Sequence, residues 1–408
     1  MNEPDSTDSD EAPLDLARMR RDRRARLVSE MHARGIGTLL LTGTSTVQYG
    51  VGDVRPVADA SHALYEQCAA VLIAGDDLPH LFTPFPDRCP PELVVDHCHP
   101  PLHLATPEGV QALATALREI AGGPVPGPLA LDEATGALYF ELSKLLDNLT
   151  VVDASEALTA AKIIKTPDEI LCIERAQRIN EAAMYDIEAA LRPGIRQSEL
   201  TGLFLRRIFE LGATGLCVDP IWQPMPLSRA QGPFTVNGDV AFPLCANDRM
   251  LMEGDLVWVD MGIDYHGYAS DFGTTWIVAR NPKPTPRQHS HFERWKDVVA
   301  ATLTATRPGA TGGDLVRAAT EANAGKRPWL DHFYLIHGIG TFSAEMPLIG
   351  SDLGPAFDES IVLAPGMLMV LEPVIWEEGV GGYRFEEVVV VTENGYRRLS
   401  SYPHTPYE

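Results

Sequence analysis

Residues 257–276 read VWVDMGIDYHGYASDFGTTW, and this stretch holds two runs of strand-forming residues. The first run ends on Asp260, and a second acid, Asp271, follows eleven residues later in the other run. A carboxylate that is buried without a partner is costly, so acids inside strand-like runs need an explanation. Either they are turn residues or hydrogen-bonded core groups, or a cation lies between them.

The strand that leads to Asp260 has a second copy in the chain. Residues 253–260 (EGDLVWVD) and 365–372 (PGMLMVLE) both place a glycine six residues before a carboxylate that ends an apolar run. Upstream, LRPGIRQSELTGLF at 191–204 recurs as TRPGATGGDLVRAA at 306–319. The two strand segments are offset by 112 residues and the two upstream segments by 115. Because these offsets are nearly equal, we predict a duplicated helix-plus-strand unit packed about a pseudo-twofold axis. The acids that end the two strands would then face each other.

The composition excludes several classes of protein. The 408 residues exceed one hydrophobic core, so more than one domain is expected, and 45% hydrophobic with 22% charged residues is ordinary for a globular protein. A net charge of −23 argues against a nucleic-acid or anionic-membrane partner, and no apolar run reaches the length of a membrane span. The acidic start is unlike a signal peptide, and six cysteines lack framework spacing. We therefore expect a cytoplasmic protein with free thiols.

Helix and strand patterns divide the chain into three parts. Residues 1–13 are predicted to be a disordered acidic tail. Residues 14–160 alternate strand and helix patterns, which predicts an α/β domain. A long helix then begins at Thr166, which is an N-cap residue followed by Pro167 at the first helical position. The second domain is predicted to span residues 161–408.

Two polar clusters in the first domain have ordinary explanations. The segment DHCHPPLH contains His97, Cys98, His99 and His103. Adjacent side chains of an extended segment point to opposite faces, and no second pair follows at zinc-finger spacing, so we interpret it as a surface loop. The basic residues between 18 and 26 fit the solvent-exposed face of a helix better than a nucleic-acid patch.

Further acids and one histidine extend the set around Asp260. GYRFEEVVVVTENG is predicted to be a strand with Glu386 and Glu387 at its start, and His337 precedes a glycine-rich turn. Each residue alone has an ordinary structural explanation, but the matched strands favour a common site. Four carboxylates buried together stay ionised only if cations neutralise them, which suits a pair of divalent ions about 3.5–4 Å apart. The candidate ligands are Asp260, Asp271, His337, Glu372 and one of Glu386 or Glu387.

This pattern resembles the pita-bread-fold metallopeptidases, which include methionine aminopeptidase, aminopeptidase P, prolidase and the metal-free relative creatinase. The similar segments are VDMGIDYHGYASDFGTTW, HGIG with Pro347 behind it, PGMLMVLEP and YRFEEVVVVTENG. The resemblance covers about residues 160–408. It implies an α/β (α+β) protein in which a duplicated pita-bread catalytic domain follows a smaller creatinase-like α/β domain, as in the aminopeptidase P and prolidase branch. It also implies a homodimer.

The resemblance assigns a role to each candidate residue. Asp260 would bind one metal, Asp271 and Glu386 would bridge both, and His337 and Glu372 would bind the second. Glu386 is preferred over Glu387 because the family's Arg-x-Glu falls on Arg384-Phe385-Glu386. Arg384 would orient a carboxylate, and Glu372 would be the general base. The implied cofactors are two divalent ions (Mn, Zn or Fe), and the implied reaction is attack of an activated water on an amide carbonyl of a short peptide, as in Xaa-Pro aminopeptidases and dipeptidases.

Three positions depart from the proline-specific members of this family. Two histidines that position the substrate and carry protons fall on Pro243 and Ala344, and the arginine of a Thr-Arg-Thr motif falls on Thr274. We therefore expect low activity on ordinary Xaa-Pro peptides. One alternative is action on another small molecule, as in dimethylsulfoniopropionate lyase, although the Asp-x-Asp of that enzyme is Asp260-Met261-Gly262 here. Another is a non-catalytic binding module, against which the intact ligand set argues.

The lost histidines also predict a different lining of the substrate pocket. An apolar wall that includes Trp222, Phe242 or Trp276 would favour a small substrate other than a proline peptide. Alternatively, His266 or His332 could supply the missing acid–base group from another position.

Overall fold

The structure is a computed structural model and describes residues 13–52, 68–93, 95–225, 227 and 249–405. Most of the predicted tail, together with Phe242, Pro243 and Cys245, lies outside the described residues. The elements of the first part are α1 (Leu16–Ala33), β1 (Thr38–Leu41), α2 (Thr44–Val51), β2 (Ala69–Ile73), β3 (His80–Phe82), β4 (Cys98–His99), α3 (Pro107–Ala121), β5 (Leu129–Leu131), α4 (Gly136–Leu145), β6 (Val151–Asp153) and α5 (Ser155–Ile163).

One mixed sheet organises this first part, with strand order β4-β3-β2-β1-β5-β6. Strand β1 is antiparallel to β2 and parallel to β5, and the predicted hairpin is the β2–β3 pair. Alternating side chains of β1 pack into hydrophobic cores on the two faces of the sheet. Leu39 packs with residues of α1, α2 and α5, whereas Leu40 packs with residues of α3 and α4. The layered α/β arrangement predicted from the sequence is present. Because α5 runs past residue 160, the division at 160/161 stays a prediction.

The second part contains the repeated units. Its elements are α6 (Pro167–Ala190), α7 (Gln197–Glu210), β7 (Gly215–Pro224), β8 (Leu256–Tyr265), β9 (Tyr268–Ala269), β10 (Phe272–Ile277), α8 (Pro286–Ala305), α9 (Gly312–Ala322), β11 (Ile336–Gly338), β12 (Glu345–Ile349), α10 (Pro355–Ser360), β13 (Leu368–Leu371), β14 (Val374–Glu377), β15 (Gly381–Arg384), β16 (Glu387–Thr392) and β17 (Gly395–Arg398). Helix α6 begins with a capping box between Thr166 and Glu169, as the sequence predicts.

The duplication is visible in topology and in backbone hydrogen bonds. Strand β8 lies between β7 and β10, and β13 lies between β11 and β16. The Gly194 N–H donates to the Leu251 carbonyl at 2.7 Å, and the Gly309 N–H donates to that of Leu363 at 2.9 Å. These pairs are separated by the same 115- and 112-residue offsets that relate the sequence repeats. The predicted pair of helix-plus-strand units is therefore correct.

Two details of the predicted strands are wrong. Strand β8 does not end at Asp260 but continues to Tyr265, because its far end pairs with β9. The run that holds Glu386 is not one strand, because β15 pairs with β14 whereas β16 pairs with β13. The chain thus changes sheets at residues 385–386, and Glu386 lies at that crossing.

The histidine-rich segment is more ordered than the predicted surface loop. Cys98 and His99 form the edge strand β4, and His80 Nδ1 lies 2.9 Å from His99 Nε2. The His97 ring stacks on that of His80 at 4.1 Å. The five cysteines that the structure describes are free thiols, as expected. No helix within the described ranges combines the length and apolarity that a membrane span requires.

Candidate metal centre

The structure brings the five candidate ligands to one place, where the two repeats meet. Carboxylate oxygens of Asp260, Asp271 and Glu386 lie within 4.8 Å of one another. His337 Nε2 lies 3.2 Å from Asp271 Oδ2 and 3.2 Å from Glu372 Oε1. These ligands come from both repeats, and each lies within a central or flanking strand or next to one. The site therefore exists only when the two units are packed together.

Backbone contacts between the repeats set the positions of these side chains. The Glu386 N–H donates to the Gly273 carbonyl at 3.1 Å, and the Arg384 N–H donates to Thr275 Oγ1 at 3.0 Å. A Cβ atom at position 273 would lie 2.4 Å from Glu386 Oε1, so a side chain there would displace the Glu386 carboxylate. Glycine at this point of β10 allows strands from different repeats to approach closely.

A single arginine connects the acids. Arg384 Nη1 lies 3.1 Å from Asp260 Oδ2, and Nη2 pairs with Glu372 and lies 2.6 Å from Glu386 Oε1. The guanidinium stacks 4.1 Å above the Trp258 ring. Burial would lower the pKa of Arg384, but the three carboxylates outweigh burial and raise it. The guanidinium is therefore a permanent positive charge inside the site.

Burial works against ionisation of the acids in this site. Burial raises the pKa of Asp260 to about 7 against the opposing effect of Arg384, and burial raises that of Glu386 well above its usual range. Burial would lower the pKa of His337, but hydrogen bonds with Asp271 and Glu372 raise it to about 10. If the four carboxylates are ionised, the site keeps two net negative charges even with His337 protonated. Additional cations are the physical means of keeping these acids ionised together.

The donor set fits divalent metal ions. Glu386 Oε2 is buried and has no hydrogen-bond partner among the residues that the structure describes. His337 Nδ1 donates to the Gly338 carbonyl at 2.9 Å, which orients the ring so that Nε2 faces the carboxylates. Carboxylates with one imidazole are ligands for hard or borderline divalent ions. Within the described ranges, Asp260, Asp271 and Glu386 are the one group with metal-ligand spacing.

Glu386 and Glu387 have different surroundings. Glu387 accepts a hydrogen bond from Ser400 Oγ at 2.7 Å and pairs with His404. Its chain neighbour Glu386 points to Gly273 and Arg384 instead. The two adjacent acids thus point in different directions where β16 begins, and the geometry places Glu386 in the site.

The β10-β8-β7 sheet carries, on the face that meets the acids, residues that sequence patterns do not single out. Trp258 shares a face with Asp260 because the two are separated by two positions on β8. Gln223 pairs with Trp258 across β7 and β8 and shares that face. The period-2 pattern of β8 identifies Trp258, but the register of β7 against β8 is visible only in the structure.

Two residues of the expected apolar wall lie elsewhere. Trp222 and Trp276 oppose Val259 and Val257 on β8, so they point to the face away from Asp260. Trp222 packs on Phe204 of α7, and its Nε1–H donates to Thr201. The expectation that these tryptophans line the pocket is wrong, because register puts them in the helix-covered core. The third expected wall residue, Phe242, is outside the described residues.

The histidines considered as substitutes for the lost acid–base groups are not in the site. His332 is exposed and its Nδ1 lies 2.8 Å from Asp352. His266 occupies the β8–β9 turn with φ of 49° and packs against the Tyr265 ring. Ala344 is exposed and immediately precedes β12. Thr274 opposes Val259 and therefore shares the face that points away from Asp260.

Comparisons with known proteins agree with this architecture. A family model described as metallopeptidase family M24 matches residues 171–393. The chain is 28% identical over 276 residues to the uncharacterized peptidase YqhT of Bacillus subtilis. The aligned region covers 67% of this chain and 71% of that protein. It is 31% identical over 241 residues to the Xaa-Pro dipeptidase of Pyrococcus furiosus, which covers 59% of this chain and 63% of that enzyme.

Solved structures show the same fold. The prolidase from Pyrococcus horikoshii OT3 matches with a TM-score of 0.73 at 21% identity, covering 94% of this chain and 99% of that one. The dipeptidase PepE from Mycobacterium ulcerans matches with a TM-score of 0.72 at 24% identity, covering 96% and 98%. The expected fold class, a pita-bread domain behind a smaller α/β domain, is confirmed.

Proposed function

The chain belongs to metallopeptidase family M24, and from this we propose that it is a dinuclear metal-dependent hydrolase that acts like Xaa-Pro aminopeptidases and dipeptidases. Membership of this family makes the protein a metallohydrolase that uses divalent ions. The proposal adds the number of ions, their identity and the bond that is cleaved. The observation that carries it is the convergence of four carboxylates and His337, together with a Glu386 oxygen that has no hydrogen-bond partner among the described residues. Relatives named Xaa-Pro dipeptidase and probable dipeptidase PepE support the substrate class.

The proposed ligand roles follow the family pattern. Asp260 would hold one ion, Asp271 and Glu386 both ions, and His337 and Glu372 the other. The contacts of His337 with Asp271 and Glu372, and the grouping of Asp260, Asp271 and Glu386, support this division. Mn, Zn and Fe each suit such a donor set.

Two residues would have direct roles in hydrolysis, Glu372 in proton transfer and Arg384 in holding the acids in place. Divalent ions bound here would lower the pKa of a water molecule and polarise the scissile carbonyl. Glu372 would accept the proton of the attacking water and return it to the leaving nitrogen, because its carboxylate is fixed between His337 and Arg384. Arg384 would orient Glu372, Asp260 and Glu386 through its ion pairs with them.

The remaining expectations concern the setting of the enzyme. We propose a homodimer that works in the cytoplasm on a short peptide or another small molecule, without a nucleic-acid or membrane partner. The charge of −23 supports the last point. Light scattering after size-exclusion chromatography should give twice the 44.5 kDa chain mass, and a monomer would contradict the dimer.

A product assay tests the proposed reaction. Protein purified without chelators is incubated with Mn²⁺, Zn²⁺ or Fe²⁺ and with Xaa-Pro dipeptides and tripeptides, and products are identified by mass spectrometry. Release of the amino-terminal residue before proline is the expected result. Small sulfonium compounds form a second arm of the same assay. Carbon–sulfur cleavage there, without peptide cleavage, would replace hydrolysis with the lyase alternative.

A further inference from the structure

A buried glutamine on the β10-β8-β7 sheet, on the face that meets the metal centre, has a side chain with no hydrogen-bond partner among the residues that the structure describes. The Gln223 side chain is 3% exposed, and neither its Oε1 nor its Nε2 has a hydrogen-bond partner among the described residues. A buried primary amide normally forms hydrogen bonds, because leaving both ends unpaired costs stability. Such an exception calls for a group that is not among the described residues, such as a bound substrate.

The strand register fixes where Gln223 points. Its neighbour Trp222 faces α7, so Gln223 faces the opposite side of β7. It lies directly across from Trp258, and Asp260 is two residues further along the same strand. The diagonal separation in such a pair is about 7–8 Å between Cα atoms. A glutamine side chain at that distance reaches toward a molecule held by the candidate ligands.

A second unpartnered donor lies beside it. The indole Nε1–H of Trp258 is buried and has no hydrogen-bond partner in the part of the chain that the structure describes. The same ring stacks under the Arg384 guanidinium, whose Nη atoms contact the acids of the centre. The unpaired groups of Gln223 and Trp258 therefore form one polar strip that leads to the centre.

We propose that Gln223 is a specificity-determining residue that binds a second amide group of the substrate, so the enzyme prefers tripeptides or amidated dipeptides to free dipeptides. This inference rests on the proposed function. Gln223 offers one acceptor and a donor group. The carboxylate of a dipeptide would leave Oε1 unpaired, and its ammonium group would leave Nε2 unpaired. A peptide or carboxamide group satisfies both, and the Trp258 N–H supplies a further donor to its carbonyl.

The spacing agrees with this assignment. Consecutive Cα atoms of a peptide are 3.8 Å apart. The Cα atoms of Gln223 and Asp260 are about 7–8 Å apart, and the glutamine side chain spans part of that distance. In a substrate of the form Xaa-Pro-Yaa whose scissile bond is held at the acids, the amide after proline lies one Cα-to-Cα step further along, within reach of Gln223. An Xaa-Pro dipeptide ends in a carboxylate there.

The test compares Ala-Pro, Ala-Pro-NH₂ and Ala-Pro-Ala as substrates of the Mn²⁺-loaded full chain. Wild type should show a higher kcat/KM for the two amide-bearing substrates. Gln223→Met, which keeps side-chain length, should reduce that preference by about 10–100-fold, mainly through KM. Equal kcat/KM for all three in wild type, or an unchanged preference in Gln223→Met, would overturn the inference while leaving the proposed function intact.

A binding measurement separates this inference from the proposed reaction. Calorimetry with prolinamide and proline on the Mn²⁺-loaded protein should show tighter binding of prolinamide, lost in Gln223→Met. If wild type cleaves none of the three substrates, the proposed function fails, and this measurement alone decides the role of Gln223. Equal binding of the two ligands by wild type would then refute it.

A matched variant controls for folding. Gln197 is also buried, but its Nε2 donates to the Trp222 carbonyl on β7. Gln197→Met should lower the Tm and leave substrate preference unchanged, because it removes a satisfied hydrogen bond. Gln223→Met should keep or raise the Tm, because it removes an unpaired buried amide. A lower Tm with unchanged preference in Gln223→Met would make Gln223 a structural residue and contradict the proposal.

Discussion

Asp260 and Glu372 occupy equivalent positions in the two repeats, and one guanidinium pairs with both. Arg384 Nη1 lies 3.1 Å from Asp260 Oδ2, and Nη2 bonds Glu372 Oε2. These acids are 112 residues apart in the sequence, and they come close together where β10 contacts Arg384 and Glu386. Arg384 offsets one of four carboxylates, so the centre depends on further cations.

Removing Arg384 should destabilise the metal-free protein. Arg384→Ala leaves buried carboxylates without their partner, and losses of about 3–5 kcal/mol are typical of a broken buried ion pair. Urea unfolding followed by tryptophan fluorescence in a chelator measures the free energy of unfolding. Arg384→Lys, which retains the charge but not the fork, should lose less. Mn²⁺ should reduce the loss in both, because ions bound to the native state stabilise it. A loss below about 1 kcal/mol in the chelator would show that the acids do not need Arg384.

An ion-pair cluster connects the first part of the chain to the segment that follows His337. Glu345 is nearly buried and lies 2.9 Å from Lys162 Nζ and 2.5 Å from Lys165 Nζ. Burial would raise the pKa of Glu345, but the two lysines outweigh it and lower the pKa below the usual 4.5. A lowered folded-state pKa stabilises the protein above the unfolded value, and the stabilisation is lost as pH falls through the folded value.

Comparison with Glu345→Gln isolates this pH dependence. The wild-type advantage in free energy of unfolding should be constant from pH 7 to about pH 5 and should shrink at lower pH. Urea titrations at several pH values measure it. An advantage that grows as the solution becomes more acidic would have the opposite sign and would contradict the assignment.

Restoring one family histidine should raise peptidase activity. Ala344 is exposed and adjacent to Glu345, which fixes the start of β12. A positioned acid–base group typically contributes about 10²–10⁴ in rate, so wild type should cleave Xaa-Pro dipeptides slower than an ordinary prolidase by that factor. Steady-state kinetics should show a gain for Ala344→His, with Ala344→Phe as the control for size. Prolidase-like rates in wild type would show that this histidine is dispensable.

Sequence patterns predict the repeated units and the helix N-caps. Thr166 with Pro167 marks the start of α6, and the recurring glycine-to-acid spacing identifies β8 and β13 as equivalent strands of the two repeats. An N-cap depends only on neighbouring residues, and a repeat is found by comparing two parts of the same chain. Neither signal requires knowledge of how the elements pack. Family resemblance favours Glu386 over Glu387, and the geometry agrees because Glu386 contacts Arg384 whereas Glu387 contacts Ser400.

Strand register and sheet changes were beyond the sequence. Trp222 and Trp276 were expected at the substrate, yet each opposes a valine of β8 on the helix-covered face. The position of Gln223 beside the site depends on its pairing with Trp258, which its neighbours in the sequence do not reveal. The break between β15 and β16 was missed because both segments have strand composition, and only tertiary pairing separates them.

Metal stoichiometry in two adjacent variants tests the dinuclear centre most directly. Wild type, Glu386→Gln and Glu387→Gln are purified without chelators, loaded with Mn²⁺, desalted and measured by inductively coupled plasma mass spectrometry. We expect two ions per chain in wild type and in Glu387→Gln, whose side chain faces Ser400, and one or none in Glu386→Gln. Equal metal content in all three proteins, or near-zero content in wild type, would contradict the account.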